Sequence, residues 1–206
     1  MDQLELLKKD WKKQESTLPK LSKEELSKLM YRKSSSIVKW IFIISVLEFV
    51  IPNLIILITG SKSTEQIYED LGLSNFMTIF LIVSYLIIFG FILLFYKNYR
   101  SISANANPKV LMQNIIKTRR TVKYYIWFNL AALAIVSIVV LNRTFDSNEF
   151  LEKIPEGTNM LVIWLISLLL VAVAVAILWL FYRLIYGIFL NRLKRNYNEL
   201  ISNGID

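Results

Sequence analysis

Glu48 stands alone as an acidic residue inside a long apolar stretch, Ile37 to Thr59, with Ser45 one helical turn before it and Pro52 one turn after. That spacing puts all three on one side of a helix. Counted from Lys39 and Trp40 at about 1.5 Å per residue, Glu48 lies about 12–14 Å along, close to the midplane of a bilayer core about 30 Å thick. An ionised carboxyl there is costly, so it has to be protonated, paired or facing water between helices. Pro52 has no N–H, frees a carbonyl near Glu48 and can kink the helix. A buried acid beside a helix break is how a proton or ion path can begin. The plainer expectation, and the favoured one, is a neutral carboxyl hydrogen-bonded to Ser84, Tyr85, Asn129 or Ser137 on neighbouring helices. Arg183 is the one basic residue able to approach from another apolar stretch. It follows a long uncharged run and is expected to snorkel to the interface instead of pairing with Glu48.

The residue types that are missing narrow the chemistry further. The chain has no cysteine, which excludes disulfides, thiolate metal sites and a cysteine nucleophile. It has no histidine, which removes the commonest general base and metal ligand. Its 16 Asp and Glu residues are scattered and form no calcium-loop pattern. Gly90 and Gly187 are isolated, and no phosphate-binding glycine motif occurs. Glu48 with Tyr85 or Asn129 is too thin a set for an enzyme, lacking a nucleophile or a metal. No catalytic residue, metal or cofactor is expected.

The elements that must position Glu48 are long apolar helices. Hydrophobic residues make up 55% of the 206 and are gathered into four blocks, whereas a soluble core spreads them at helical or strand spacing. Spans are predicted at 37–59, 76–96, 124–141 and 160–182, each close to the roughly 20 residues a helix needs to cross a bilayer. The first follows a long polar segment and has no cleavage pattern after it, so it reads as a retained span. Ala172 and Ala176 form a small-xxx-small pair that predicts a close helix contact on the fourth.

Orientation follows from charge. Of 24 Lys and Arg residues, only Lys62, Arg143 and Lys153 fall within 60–75 and 142–159. The positive-inside rule therefore predicts outer loops at 60–75 and 142–159, with both termini and the 97–123 loop on the cytoplasmic side of a cell inner membrane. Trp40, Tyr96, Tyr99, Tyr124, Tyr125, Trp127, Trp179 and Tyr182 gather near the predicted inner ends, where an interfacial belt belongs. The lipid bilayer also accounts for the net charge of +8, because basic loops meet anionic headgroups there. No nucleic-acid module accompanies the charge, so nucleic acid is not an expected partner.

The cytoplasmic segments carry helical signals of their own. In 1–36, Leu4, Leu7 and Trp11 fall at helical spacing and Pro19 interrupts. Ser22 with Glu25 then forms a capping box ahead of Leu26, Leu29 and Met30. Ser34, Ser35 and Ser36 are a candidate joint before the first span. Within 97–123, a helical hairpin, Pro108 suits a first helical position. From there Leu111, Ile115, Thr118, Val122 and Tyr125 step by four and three as a bundle seam. Residues 183–206 continue the fourth span as a helical tail. The face of Leu4, Leu7 and Trp11 needs a cover: the protein's own stalks (favoured), the anionic membrane surface, or a partner protein.

The stretch Leu7-Lys-Lys-Asp-Trp11-Lys-Lys-Gln14, followed by Arg32-Lys-Ser-Ser-Ser-Ile-Val-Lys-Trp40-Ile, resembles an uncharacterised family of small four-span inner-membrane proteins of Bacteroidota, over most of the chain. The resemblance implies no activity and no site residues. Some members carry a beta-carotene monooxygenase label, and a chain without histidine lacks the imidazoles that suit iron.

The expected fold is all-α, an integral membrane four-helix bundle with cytoplasmic helical extensions. The expected function is non-enzymatic, a regulator or scaffold presenting that cytoplasmic helical surface to a cytosolic protein partner. The alternative is a small transporter or channel subunit using Glu48. That alternative requires a homo-oligomer, because four helices leave little room for a pore.

Overall fold

A backbone segment that leaves water must bond its own N–H and C=O groups, which an α-helix does within one segment. The computed structural model of the chain describes residues 23–60, 62–104, 108–155 and 157–202. Four long helices dominate: α1 (Lys23–Thr59), α3 (Ser74–Ala104), α4 (Pro108–Phe145) and α6 (Met160–Ser202). Two short ones, α2 (Lys62–Asp70) and α5 (Asn148–Lys153), connect them, and no strand occurs among the described residues. Each long helix holds a segment long and apolar enough to cross a membrane, the mark of a multi-pass membrane protein. Leu4, Leu7, Trp11, Pro19 and Ser22 lie outside the described residues.

Short connections make successive long helices antiparallel. α1 packs against α3 and α6, and α4 packs against the same two, which closes a four-helix ring. One end of the ring carries Lys23, Ala104, Pro108 and Ser202 and is here called the basic end. The other carries α2 and α5 and is the loop end.

Burial is concentrated toward the basic end. Met30, Val38, Ile41, Phe95, Ile102 and Leu193 form one core with the α4 seam, where Leu111, Ile115, Thr118, Val122 and Tyr125 are all buried as their spacing predicts. Two polar bridges tie the same region. Asn196 Nδ2 donates to Ser34 Oγ at 3.1 Å, joining α6 to α1, and Asn114 Nδ2 donates to Ser101 Oγ at 2.8 Å, joining α4 to α3. The three serines are therefore no joint: α1 passes through them unbroken, and Ser34 is fully buried as a bridge.

Toward the loop end the apolar side chains face outward instead. Leu57 and Ile58 are 78% and 82% exposed, and none of the most apolar window of α6 is buried. Lipid tails are as apolar as leucine, so within a bilayer nothing drives such side chains inward. Water does drive burial in the parts of the helices beyond the apolar runs. Ala172 and Ala176 face outward too, so the expected small-residue contact on the fourth span is absent. A small-xxx-small pair permits close approach, but no helix of the bundle lies on that face.

The short helices at the loop end are not announced by the apolar pattern. α2 stops because Gly72, at φ +63°, takes a left-handed conformation that sends its N–H to Glu69 O and the Leu73 N–H back to Tyr68 O. α5 starts where Ser147 Oγ accepts the Phe150 N–H at 3.4 Å. Phe145 packs on Phe150 and Trp164, with ring centroids 4.9 and 4.7 Å away, and so fixes α5 to the tops of α4 and α6.

Leu111 and Ile116 lie on opposite faces of the same stretch of α4, one fully buried and the other 42% exposed. Leu111→Ala is expected to cost about 2–5 kcal/mol and Ile116→Ala no more than about 0.5 kcal/mol, read as thermal unfolding by circular dichroism in mild detergent. Equal shifts would contradict the assigned core.

Candidate functional site, a carboxyl between two tyrosines

Three helices meet at the Glu48 side chain. Its Oε2 accepts a hydrogen bond from Tyr125 of α4 at 2.7 Å and a second from Tyr186 of α6 at 3.1 Å. The other oxygen, Oε1, is buried and has no protein partner. Tyr125 is also the hub of an aromatic cluster. The rings of Phe91, Phe95, Tyr182 and Tyr186 all centre 5.6–6.2 Å from its own, mostly edge-on. Asn129 Nδ2 donates to the Tyr125 carbonyl at 2.8 Å, one turn along the same helix, and so braces the backbone that carries the donor.

The partners expected for Glu48 are therefore replaced. Asn129 serves the α4 backbone, and Tyr85 donates to Asn53 Oδ1 at 2.6 Å in a separate α1–α3 bridge. Asn53 Nδ2 in turn donates to the Phe49 carbonyl at 2.7 Å. Ser45 is fully buried but turns back on its own helix, its hydroxyl donating to Phe42 O at 2.8 Å. Pro52 is exposed and α1 continues through it. Lacking an N–H, it leaves the Glu48 carbonyl without its usual helix donor four residues on. Arg183 makes no bond to Glu48: its guanidinium stands 5.1 Å over the Trp179 ring, the stacked form of snorkelling.

The aromatic neighbours of the site give its height within the bundle. Tyr125 lies two residues from Lys123, at the very start of the uncharged run of α4, and Tyr186 lies three residues beyond Arg183. The carboxyl therefore reaches phenols near the charged ends of the α4 and α6 runs, while Phe49, next along α1, packs on Tyr85 midway along the 76–96 run of α3.

Tyr186 escapes a pattern search because it lies past Arg183, outside the uncharged run. The signal that could have found it is its spacing of four from Tyr182, which puts both phenols on one face of α6. Chemically the cluster can hold a proton or anchor a carboxyl. Among the described residues no group of three acidic side chains comes together to hold a metal.

A family model described as Domain of unknown function (DUF8845) matches residues 24–203. No curated protein and no solved structure matches the chain.

Removing one phenol leaves a buried acceptor short of a donor. Tyr125→Phe is expected to lower stability by about 1–3 kcal/mol, and Tyr186→Phe, with the longer bond, by less. Tyr96→Phe, half-exposed, is the control and should stay within about 0.5 kcal/mol. Unfolding temperatures in detergent rank the three, and a Tyr125→Phe variant no weaker than the control would show the bond to be incidental.

Proposed function

The chain belongs to the DUF8845 family, a domain of unknown function, and we propose that it is a non-enzymatic regulator or scaffold of the cell inner membrane. In this assignment both termini lie in the cytoplasm and the basic end of the bundle is presented to a cytosolic protein. The observation that carries it is the stalk. All four long helices run on beyond their apolar stretches and keep a core of their own, built on Met30, Ile102, Leu111, Ile115 and Leu193. α6 alone continues from Arg183 to Ser202, about 30 Å of helix. A protein that needed only to sit in the bilayer has no use for a packed extension of that length. Apolar side chains left open on the stalk (Leu29, Ile116, Ile188 and Ile201) offer contact surface. The Lys and Arg asymmetry supports the orientation.

A second function, a proton or ion path through Glu48, is favoured by one observation: Glu48 Oε1 is buried and unpartnered beside the apolar runs.

Affinity purification in mild detergent separates the two. The intact protein is compared with a Leu7→Ala, Trp11→Ala variant, whose positions the sequence sets at helical spacing. A cytosolic protein retained by the intact chain and lost from the variant is the expected result. Two identical samples, each running alone or as a homo-oligomer, would overturn the regulator assignment in favour of the second.

A further inference from the structure

Beyond the Glu48 cluster, the α3–α4 hairpin carries a second concentration of polar chemistry. A groove of about 280 Å³ lies between the two helices. Lys97, Asn98 and Ser101 of α3 form one wall and Asn114, Lys117 and Arg120 of α4 the other, with Leu94 and Tyr124 at its apolar edge. Two further hollows adjoin it and share its residues. One adds Tyr96 and Arg100 beside Lys97 and Ser101; the other adds Arg119 and Lys123 beside Arg120 and Tyr124. Three basic side chains, Lys97, Lys117 and Arg120, therefore line the groove itself, and Arg100, Arg119 and Lys123 line the hollows beside it.

Two observations separate this face from an ordinary solvated run of charge. The segment 97–123 contains no Asp or Glu at all. None of Lys97, Arg100, Lys117, Arg119, Arg120 and Lys123 has an ion-pair partner among the described residues, whereas Arg195 on α6 pairs with Glu199 at 3.6 Å. The Asn114–Ser101 hydrogen bond holds both side chains at the groove.

The position of the groove says which anion it suits. Its edge lies among exposed interfacial aromatics, Tyr96, Tyr124 and Trp127, the last 72% exposed, which mark the level of lipid headgroups. From Leu94 the outward faces of α3 and α4 continue as exposed apolar surface, including Leu93 and Ile135, along which an acyl chain can lie. Basic above and apolar below is the shape of an amphiphile. We infer that the α3–α4 groove binds the phosphate of an anionic phospholipid, held by Lys97, Lys117 and Arg120. The lipid thereby neutralises the hairpin that the chain's own acidic residues leave uncompensated, and ties its height to the membrane surface.

The test is native mass spectrometry of the full chain, purified in mild detergent and offered equal amounts of dioleoyl phosphatidylglycerol and dioleoyl phosphatidylcholine. The intact protein is expected to retain the anionic lipid about tenfold over the zwitterionic one, and Lys117→Gln, Arg120→Gln to lose that preference. Arg192→Gln, Lys194→Gln on α6 removes the same charge from exposed positions elsewhere and is expected to keep the preference within about twofold. No preference in the intact protein, or an equal loss in the α6 pair, would overturn the site in favour of diffuse charge. Displacement of the bound lipid by millimolar inorganic phosphate alone would overturn the lipid assignment in favour of a soluble phosphate ligand.

Discussion

A carboxyl group carried on an apolar helix must find hydrogen-bond donors from its neighbours, and this requirement at Glu48 constrains the whole bundle. α1 brings the acceptor, α4 and α6 bring one phenol each, and the two bonds to Oε2 tie the register of the three helices together. The aromatic cluster around Tyr125 fills the space the carboxyl would otherwise share with lipid or water. α3 joins through Phe91 and Phe95 of the same cluster, so one polar contact organises all four long helices. An unmet polar group in a low-dielectric site is far more costly than a met one is stabilising, which makes the cluster a device for specificity as much as for stability.

The two halves of the bundle obey different physics on either side of that contact. Toward the basic end, water supplies the drive for burial and the helices close around Ile41, Ile102, Leu111, Ile115 and Leu193. Toward the loop end the drive vanishes, side chains such as Ile58 and Leu169 turn outward, and the helices need only fill the bilayer. The functional proposals both concern the basic half for this reason. A rigid, packed stalk can present a fixed surface to a protein, and its uncompensated hairpin can hold a lipid headgroup.

Much of this was legible in residue patterns where a local rule applied. The apolar runs marked the four long helices, the seam from Leu111 to Tyr125 marked the buried face of α4, and Pro108 marked its start. Glu48 stood out by its type alone. Its partners did not, because which phenol reaches a carboxyl depends on the relative height of three helices, and no spacing within one chain segment reports that. Ser34 and the Ala172–Ala176 pair mislead for a related reason, since small residues serve a joint, a bridge or an idle lipid face equally well.

The central claim, that Glu48 is the point on which α4 and α6 are locked to α1, is most directly tested by a double-mutant cycle. Tyr125→Phe is measured in the native chain and again in a Glu48→Leu background, by reversible unfolding in mild detergent. The account predicts that the phenol's contribution largely disappears once the carboxyl is gone, a coupling of about 1 kcal/mol or more. Equal losses in the two backgrounds would mean that Tyr125 acts through its ring packing alone, and that the carboxyl locks nothing.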